Sequence, residues 1–356
     1  MTSDKPQISF DDILKAAEEI KPFIHRTPVV TSTTADELAS SYDIDLSFRL
    51  VMKCENLQKI GAFKIRGATN AIRSLLRDPR PASNLTVVTH SSGNHAQALA
   101  LAAKQLGVRA HVVMPNTSSP VKKAAVRGYG ATVTECPPTL EAREETAAKV
   151  MKEELARNPE QRVEFVPPYD DVRIIAGQGT ISVELLEQAK EIDRELDVLI
   201  APVGGGGMLS GVALAAKSID SHIWIIGAEP SGADDAYRSF TSKTFQPSVN
   251  PKTIADGLLT STGKITFPLI LKYVDAIHTV SEEEIKRAMK FSFERLKLII
   301  EPSAAVPLAV ALFSRDFKES MKSRATLLMK STLNVGVVFS GGNVDTSVIS
   351  SLFEGI

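Results

Sequence analysis

The chain has 356 residues, 43% of them hydrophobic and 23% charged, with a formal net charge of -1. That balance excludes a basic field suited to nucleic acid or an anionic membrane surface, and no apolar run reaches the length of a bilayer-spanning helix. The length suits two lobes better than one core, and the two cysteines, Cys54 and Cys136, lie outside any CxxC pair, so no thiolate metal site is written.

The first residues, Met1-Thr2-Ser3-Asp4-Lys5, lack an apolar signal core, and with so few cysteines a reducing, cytoplasmic compartment is expected. A capping-box pattern, Ser9-Phe10-Asp11-Asp12, predicts an amphipathic helix running toward Lys21. After Pro28 a polar stretch leads to a strand near 48–53, then to a helix carrying Lys64, Ala68, Ala71 and Leu75. Short β-branched runs at 86–89, 109–114, 131–134 and 163–166 follow, separated by Ala-rich helical stretches. A second alternating series has a strand at 198–201, a helix at 208–217 and a strand at 223–228. Later come a strand at 276–280, a helix capped by Ser281 with Glu284, and a strand at 335–339. Segments 237–253 and 314–334, rich in polar residues, read as surface loops. Strands alternating with helices predict α/β architecture, with parallel sheets covered by helices. The expected division is a small mobile lobe over 86–168, inserted into a larger lobe built from 1–85 and 169–356.

Lys64 lies in Gly61-Ala62-Phe63-Lys64-Ile65-Arg66-Gly67-Ala68. A lysine held among apolar groups loses its charge more easily and becomes a nucleophilic amine, as imine chemistry with an aldehyde requires. Taken alone, Lys64 reads more readily as a surface lysine whose head snorkels into water, and only the other motifs of the chain overturn that reading. The strand at 198–201 runs through Pro202 and Val203 into Gly204-Gly205-Gly206-Gly207 and then a helix. Four glycines let backbone amides wrap an anion in front of a helix N-terminus, which favours a phosphate site over a merely flexible turn. No Gly-Lys-Ser/Thr follows, so the loop is not a Walker A motif. Ser91-Ser92-Gly93-Asn94-His95 sits between a strand and a helix expected from 96 to 104. Such a junction suits a substrate carboxylate, but from the residues alone plain capping by Ser92 or Asn94 is the favoured reading.

Together with Glu55-Asn56-x-Gln58, Ser340-Gly341-Gly342-Asn343, Ala176-Gly177-Gln178-Gly179-Thr180, Ala228-Glu229-Pro230, Ile254-Ala255-Asp256-Gly257 and Glu301-Pro302-Ser303, these motifs span nearly the whole chain. Their order and spacing resemble the fold-type-II pyridoxal-phosphate enzymes, in the serine racemase and threonine/serine dehydratase branch. The resemblance implies a tryptophan synthase β-like fold of two lobes, each with a mainly parallel twisted sheet, and a homodimer. It implies that Lys64 is tethered to the cofactor aldehyde, with Phe63 beside the pyridoxal ring. Gly204, Gly205, Gly206 and Gly207 would hold the phosphate, Asn94 the ring hydroxyl, and Ser340 would face the pyridine nitrogen. A serine there does not hold that nitrogen protonated as a carboxylate would, so the electron sink is weaker and reprotonation or β-elimination is favoured over transamination. Ser91, Ser92, Gly93, Asn94 and His95 would hold the substrate carboxylate, with His95 as a positioning residue. Asp256 would orient the substrate hydroxyl or support its own loop.

The resemblance further implies a hydroxy amino acid substrate, with racemisation of serine and dehydration of serine or threonine. Ser92 matches the hydroxyl that serves racemases as the acid facing Lys64, against the simpler roles of cap or carboxylate ligand. The alternative is a dehydratase with little racemisation; a phosphate-ligand sensor without turnover is a third possibility. Glu229-Pro230-Ser231-Gly232-Ala233-Asp234-Asp235 resembles the divalent-cation loop of the racemases, with Glu229, the Ala233 carbonyl and Asp235 as ligands for Mg²⁺, or Ca²⁺ or Mn²⁺. Without the resemblance it reads as a polar loop in which Asp234 or Asp235 caps the next helix. Arg143 matches an arginine near the mobile lobe, or is a solvated helix charge. The run Pro167-Pro168-Tyr169 departs from the His-Pro-Asn of animal racemases, which leaves substrate gating and a nucleotide effector open.

Overall fold

The computed structural model describes residues 8–41 and 45–356, and the N-terminal run Met1-Thr2-Ser3-Asp4-Lys5 lies outside them. The described chain opens with α1 (Phe10–Ile20), β1 (Val29–Val30), α2 (Thr33–Ser40), β2 (Ser47–Cys54) and α3 (Lys64–Leu75). It continues through β3 (Leu85–His90), α4 (Asn94–Gln105), β4 (Arg109–Pro115), α5 (Pro120–Gly128), β5 (Thr132–Cys136), α6 (Leu140–Arg157) and β6 (Arg162–Phe165). Then follow α7 (Val172–Glu191), β7 (Val198–Pro202), α8 (Gly207–Ile219), β8 (Trp224–Pro230), α9 (Asp235–Ser242) and α10 (Thr266–Tyr273). The last elements are β9 (Ala276–Val280), α11 (Glu282–Phe291), α12 (Pro302–Phe313), α13 (Arg315–Leu328), β10 (Thr332–Phe339) and α14 (Thr346–Phe353).

Among the described residues, the strands form two sheets. One has six strands in the order β1-β2-β10-β7-β8-β9, and the other has four in the order β5-β4-β3-β6. Every pairing is parallel except β1 with β2. Parallel strands need covered crossovers, and the helices supply them. Helix α12 is apolar all round and every one of its residues is buried, so it lies inside rather than on the surface. It packs against β7, β8, β9 and β10, while α7 and α8 cover the other side of the larger sheet. The Gly177 motif is explained by close helix packing, since a Cβ there would stand 2.6 Å from the Gly67 Cα of α3.

Both capping boxes form, Ser9 with Asp12 and Ser281 with Glu284. Several expectations are corrected. Segment 314–334 is not a loop, because it holds α13 and the start of β10. Ser314 caps α13, and Phe317, Met321 and Ala325 give it a buried face hidden within a polar composition. Segment 237–253 is a loop only from Lys243 onward, because α9 extends to Ser242 and stops where Lys243 turns left-handed. The polar stretch after Pro28 contains α2, capped by Ser32. The helix expected to start at 96 begins at Asn94. Among the described residues, no helix is long and apolar enough to cross a membrane.

The parallel arrangement brings the motifs together. β2, β3, β7 and β10 end directly before Glu55, Ser91, Val203 and Ser340. Ligands in open parallel sheets bind beyond the carboxyl ends of the strands, and here the motifs following β3, β7 and β10 line one cavity.

Candidate active site

The cavity has a volume of about 1190 Å³. Its lining includes Phe63, Lys64, Ser91, Ser92, Gly93, Asn94, His95, Asp256, Ser340 and all four glycines of the loop. Residues separated by up to 277 positions, Phe63 and Ser340, thus share one space, and the Phe63 amide donates to the Ser340 carbonyl at 3.0 Å.

Lys64 is the first residue of α3, and its half-buried ammonium donates to the Pro168 carbonyl at 2.8 Å. The same nitrogen stands 5.2 Å from the centre of the Phe63 ring. Burial pushes its pKa down to about 8, with Glu301 pulling the other way. Near neutral pH part of the population is therefore a free amine, the nucleophilic form.

The base of α3 is clamped from below. Arg66 is fully buried; its guanidinium donates to Glu55 at 2.7 and 2.8 Å, to both Glu184 oxygens at 2.8 Å, and to Thr180 at 3.1 Å. Lys53 joins the same group through Glu184 at 2.7 Å and Gln188 at 2.8 Å. This network accounts for Glu55 and Arg66 in the lysine motif. They hold the helix that carries Lys64 and do not line the cavity.

The glycine loop is built as a cradle. Gly206 has φ +85, a conformation that glycine adopts without strain, and it is the cap position of α8. A Cβ on Gly205 would stand 2.4 Å from the Tyr169 ring. Among the described residues, no hydrogen bond engages the amides of Gly204, Gly205, Gly206 or Gly207. Free buried amides in front of a helix N-terminus suit a phosphate group.

Next to the other sheet, α4 has Gly93 at its cap position, and no side chain caps it. Neither Ser92 nor Asn94 is spent on capping, against the simpler sequence expectation. Ser91 accepts the Gly93 amide at 3.2 Å, and Ser92 is exposed into the cavity. Asn94 is held on two sides. Its Nδ2 donates to both Glu301 carboxylate oxygens at 3.0 and 3.2 Å, and its Oδ1 accepts from Asn343 at 2.8 Å. His95 is 2% exposed and its Nε2 meets the Val166 carbonyl at 3.1 Å. Burial pushes its pKa down to about 3, so the ring is neutral near pH 7. Asp256 sits on the exposed side and pairs with Lys122 across the cavity at 3.2 Å. Arg143 also lines the cavity and is bonded to the Thr139 carbonyl at 3.3 Å.

The sequence motif that contains Glu301 gives this residue no role of its own. In the fold, Glu301 lines the cavity at 5% exposure, and burial, with Asp256 nearby, pushes its carboxyl up to about 7. The only sequence signal for it is an acidic residue directly before Pro302 at the head of an apolar helix.

The residues of the proposed cation loop lie outside the cavity lining. Glu229 is 1% exposed and accepts the amides of Ala236 and Tyr237 at 2.9 and 2.8 Å, so it caps α9. Neither Asp234 nor Asp235 does so; Asp234 occupies the cap position, but its Oδ1 accepts from the Arg238 guanidinium at 2.8 Å instead of capping the helix. Among the described residues, neither of the two buried Asp235 carboxylate oxygens has a hydrogen-bond partner, and the neighbouring Ser248 hydroxyl donates to the Leu259 carbonyl instead. Burial pushes Glu229 up to about 9 and Asp235 up to about 6. Among the described residues, no three His, Cys, Asp or Glu side chains gather to bind a metal.

Comparison with known proteins agrees with this geometry. Residues 20–329 match the family described as pyridoxal-phosphate dependent enzyme. The serine racemase of Dictyostelium discoideum is 46% identical over 349 residues, covering 98% of each chain; its crystal structure superposes with a TM-score of 0.83 over 95% of this chain and 99% of that one. The β-hydroxyaspartate dehydratase of Paracoccus denitrificans is 44% identical over 337 residues, covering 95% of this chain and 96% of its own. A threonine deaminase from T.th. superposes at 39% identity with a TM-score of 0.80, covering 95% of this chain and 99% of its own.

Proposed function

The chain belongs to the pyridoxal-phosphate-dependent enzyme family, and from that premise we propose that it racemises L-serine to D-serine and also dehydrates L-serine or L-threonine. The observation that carries this reading is the Lys64 amine, with a pKa of about 8, in one cavity with four unengaged glycine amides. Both features fit the cofactor, an amine for its aldehyde and an anion cradle for its phosphate. When bound, pyridoxal phosphate supplies the aldehyde that captures the substrate amine and the electron sink that acidifies the α-carbon.

The chain's own residues do the rest. The Lys64 amine takes the α-proton as general base. Ser92, open to the cavity and free of capping duty, offers its hydroxyl as the acid for the other enantiomer. Without that return, loss of the β-hydroxyl leads to pyruvate or 2-oxobutyrate and ammonia. Phe63 would pack beside the ring, and Ser340 would offer the pyridine nitrogen a hydroxyl in place of a carboxylate. Asn94, steadied by Glu301 and Asn343, would present its amide to the ring hydroxyl. Ser91, Gly93 and the first turn of α4 receive the substrate carboxylate, and residues 86–168 move as the small lobe over it, with Asp256 and Lys122 meeting at the mouth.

A divalent cation, Mg²⁺ or its relatives Ca²⁺ and Mn²⁺, is proposed at Glu229, the Ala233 carbonyl and Asp235. The support is the pair of buried, unpartnered Asp235 oxygens beside a buried Glu229. Hard oxygen donors of this kind suit such ions. A homodimer, a nucleotide effector and a cytoplasmic setting belong to the same reading.

The alternative, a threonine/serine dehydratase with little racemisation, is favoured by the similarity to a threonine deaminase. A chiral product assay on L-serine and L-threonine, with and without Mg²⁺ and ATP, separates the two. D-serine formation supports the racemase; keto acid without D-serine supports the dehydratase; neither product from a cofactor-saturated sample overturns both. Loss of the Mg²⁺ effect in Asp235→Asn locates the ion, and mass measurement in solution tests the dimer.

A further inference from the structure

The connection from β6 into α7, residues 166–171, ties three parts of the cavity together. The Pro168 carbonyl accepts the Lys64 ammonium at 2.8 Å. The next residue, Tyr169, lays its ring against the cradle, 2.4 Å from where a Gly205 Cβ would stand. The residue after it, Asp170, accepts three successive backbone amides from a distant loop. Lys264 donates to Oδ2 at 2.9 Å; Ile265 and Thr266 donate to Oδ1 at 2.8 and 3.1 Å.

These amides open α10, whose own cap residue is Ile265 and has no side-chain bond to offer. An apolar residue at a cap position leaves orphan donors, and Asp170 satisfies them from 94 to 96 positions away. The fit is close, since a Cβ on Gly263 would stand 2.1 Å from the carboxylate. Thr266 carries the constraint onward. Its hydroxyl accepts the Gly263 amide at 2.7 Å and donates to the Gly205 carbonyl at 2.8 Å. Ser210, in the first turns of α8, donates to the Thr266 carbonyl at 3.2 Å.

Gly205 is thus gripped by Tyr169 through packing and by Thr266 through a hydrogen bond, and both grips depend on the Asp170 segment. We propose that Asp170 is a positioning residue for the cofactor: it clamps the Tyr169 strap to the head of α10 and so fixes the glycine amides in their phosphate-holding arrangement. The proposal rests on the reading of the glycine loop as the phosphate cradle.

The test uses the cofactor-loaded enzyme and its Asp170→Ala and Asp170→Asn variants, with Ser281→Ala, the capping residue of the remote α11, as control. Release of pyridoxal phosphate is followed by its absorbance after dilution, and melting temperatures are taken with and without the cofactor. Asp170→Ala is expected to release the cofactor roughly tenfold faster, the scale of one lost cap, and Asp170→Asn by less because one acceptor oxygen remains. The melting-temperature gain on adding cofactor shrinks in both. Ser281→Ala lowers both melting temperatures alike and leaves release unchanged. Release from Asp170→Ala and Asp170→Asn at the parental rate, with an unchanged cofactor-dependent gain, reduces Asp170 to an ordinary helix cap and overturns the proposal; should the alanine variant not fold, the asparagine variant decides. A parent protein that takes up no pyridoxal phosphate overturns the cradle reading itself.

Discussion

Glu301 holds the amide of Asn94 from both carboxylate oxygens, at 3.0 and 3.2 Å, across 207 positions of sequence. A carboxyl this deep resists ionisation, and its pKa stands near 7 against an ordinary 4.5. A folded-state pKa raised above the unfolded one gives a contribution to stability that is present below the unfolded value and is lost as pH rises through the folded value. Glu301→Gln removes that dependence. The melting temperature of the variant relative to the parent should therefore climb between pH 4.5 and 7 and level off above it. A difference that is flat over this window contradicts the assignment.

Lys64 has its pKa lowered to about 8 by burial. In cofactor-free protein, reductive trapping of pyridoxal phosphate should label this lysine, as read by peptide mass mapping. The trapping rate should rise with pH and flatten above about 8, where the amine is already neutral. Labelling confined to surface lysines, with the rate still climbing toward pH 10.5, their ordinary value, would count against Lys64.

Ser92 is exposed to the cavity and caps nothing. Ser92→Ala should cut D-serine formation by about 100-fold or more, the range of a lost general acid, while keto-acid release from L-serine stays within roughly threefold of the parent. Parental D-serine formation in this variant would remove the acid role.

Arg66 and Glu55 have fully buried side chains joined at 2.7 Å. Arg66→Met leaves a buried carboxylate uncompensated, which costs on the order of 3–5 kcal/mol. Urea unfolding should register this as a lowered midpoint. Arg66→Lys should recover only part of it, because an ammonium does not reproduce the paired hydrogen bonds to Glu55 and Glu184.

Much of this protein is legible in its linear sequence. The alternation of strand and helix, the two capping boxes, the glycine run after a buried strand, and Lys64 with its motif are all local patterns, and local patterns are what a linear chain displays. The expected strands of both series form; the motif residues after β7 and β10 arrive together because parallel strands of one sheet point their carboxyl ends the same way, and those after β3 meet them from the other sheet at the same cavity. The elements that the sequence conceals are concealed for a local reason too. Helix α13 hides its buried Phe317, Met321 and Ala325 in a polar composition, and α9 stands in a stretch rich in Ser and Thr.

Tertiary structure alone decided which groups are spent and which remain free. Asp234 and Asp235 carry the right chemistry to cap α9, yet Glu229 reaches in from β8 and does so, leaving the Asp235 carboxylate unpartnered. The partnership of Asn94 with Glu301 and Asn343, and that of Asp170 with residues 264–266, join segments far apart in the chain. Residue type gives a side chain its capacity to donate, accept or ionise. Which partner it meets, and how much water it loses in meeting it, depends on distances that exist only once the two sheets and their helices have packed.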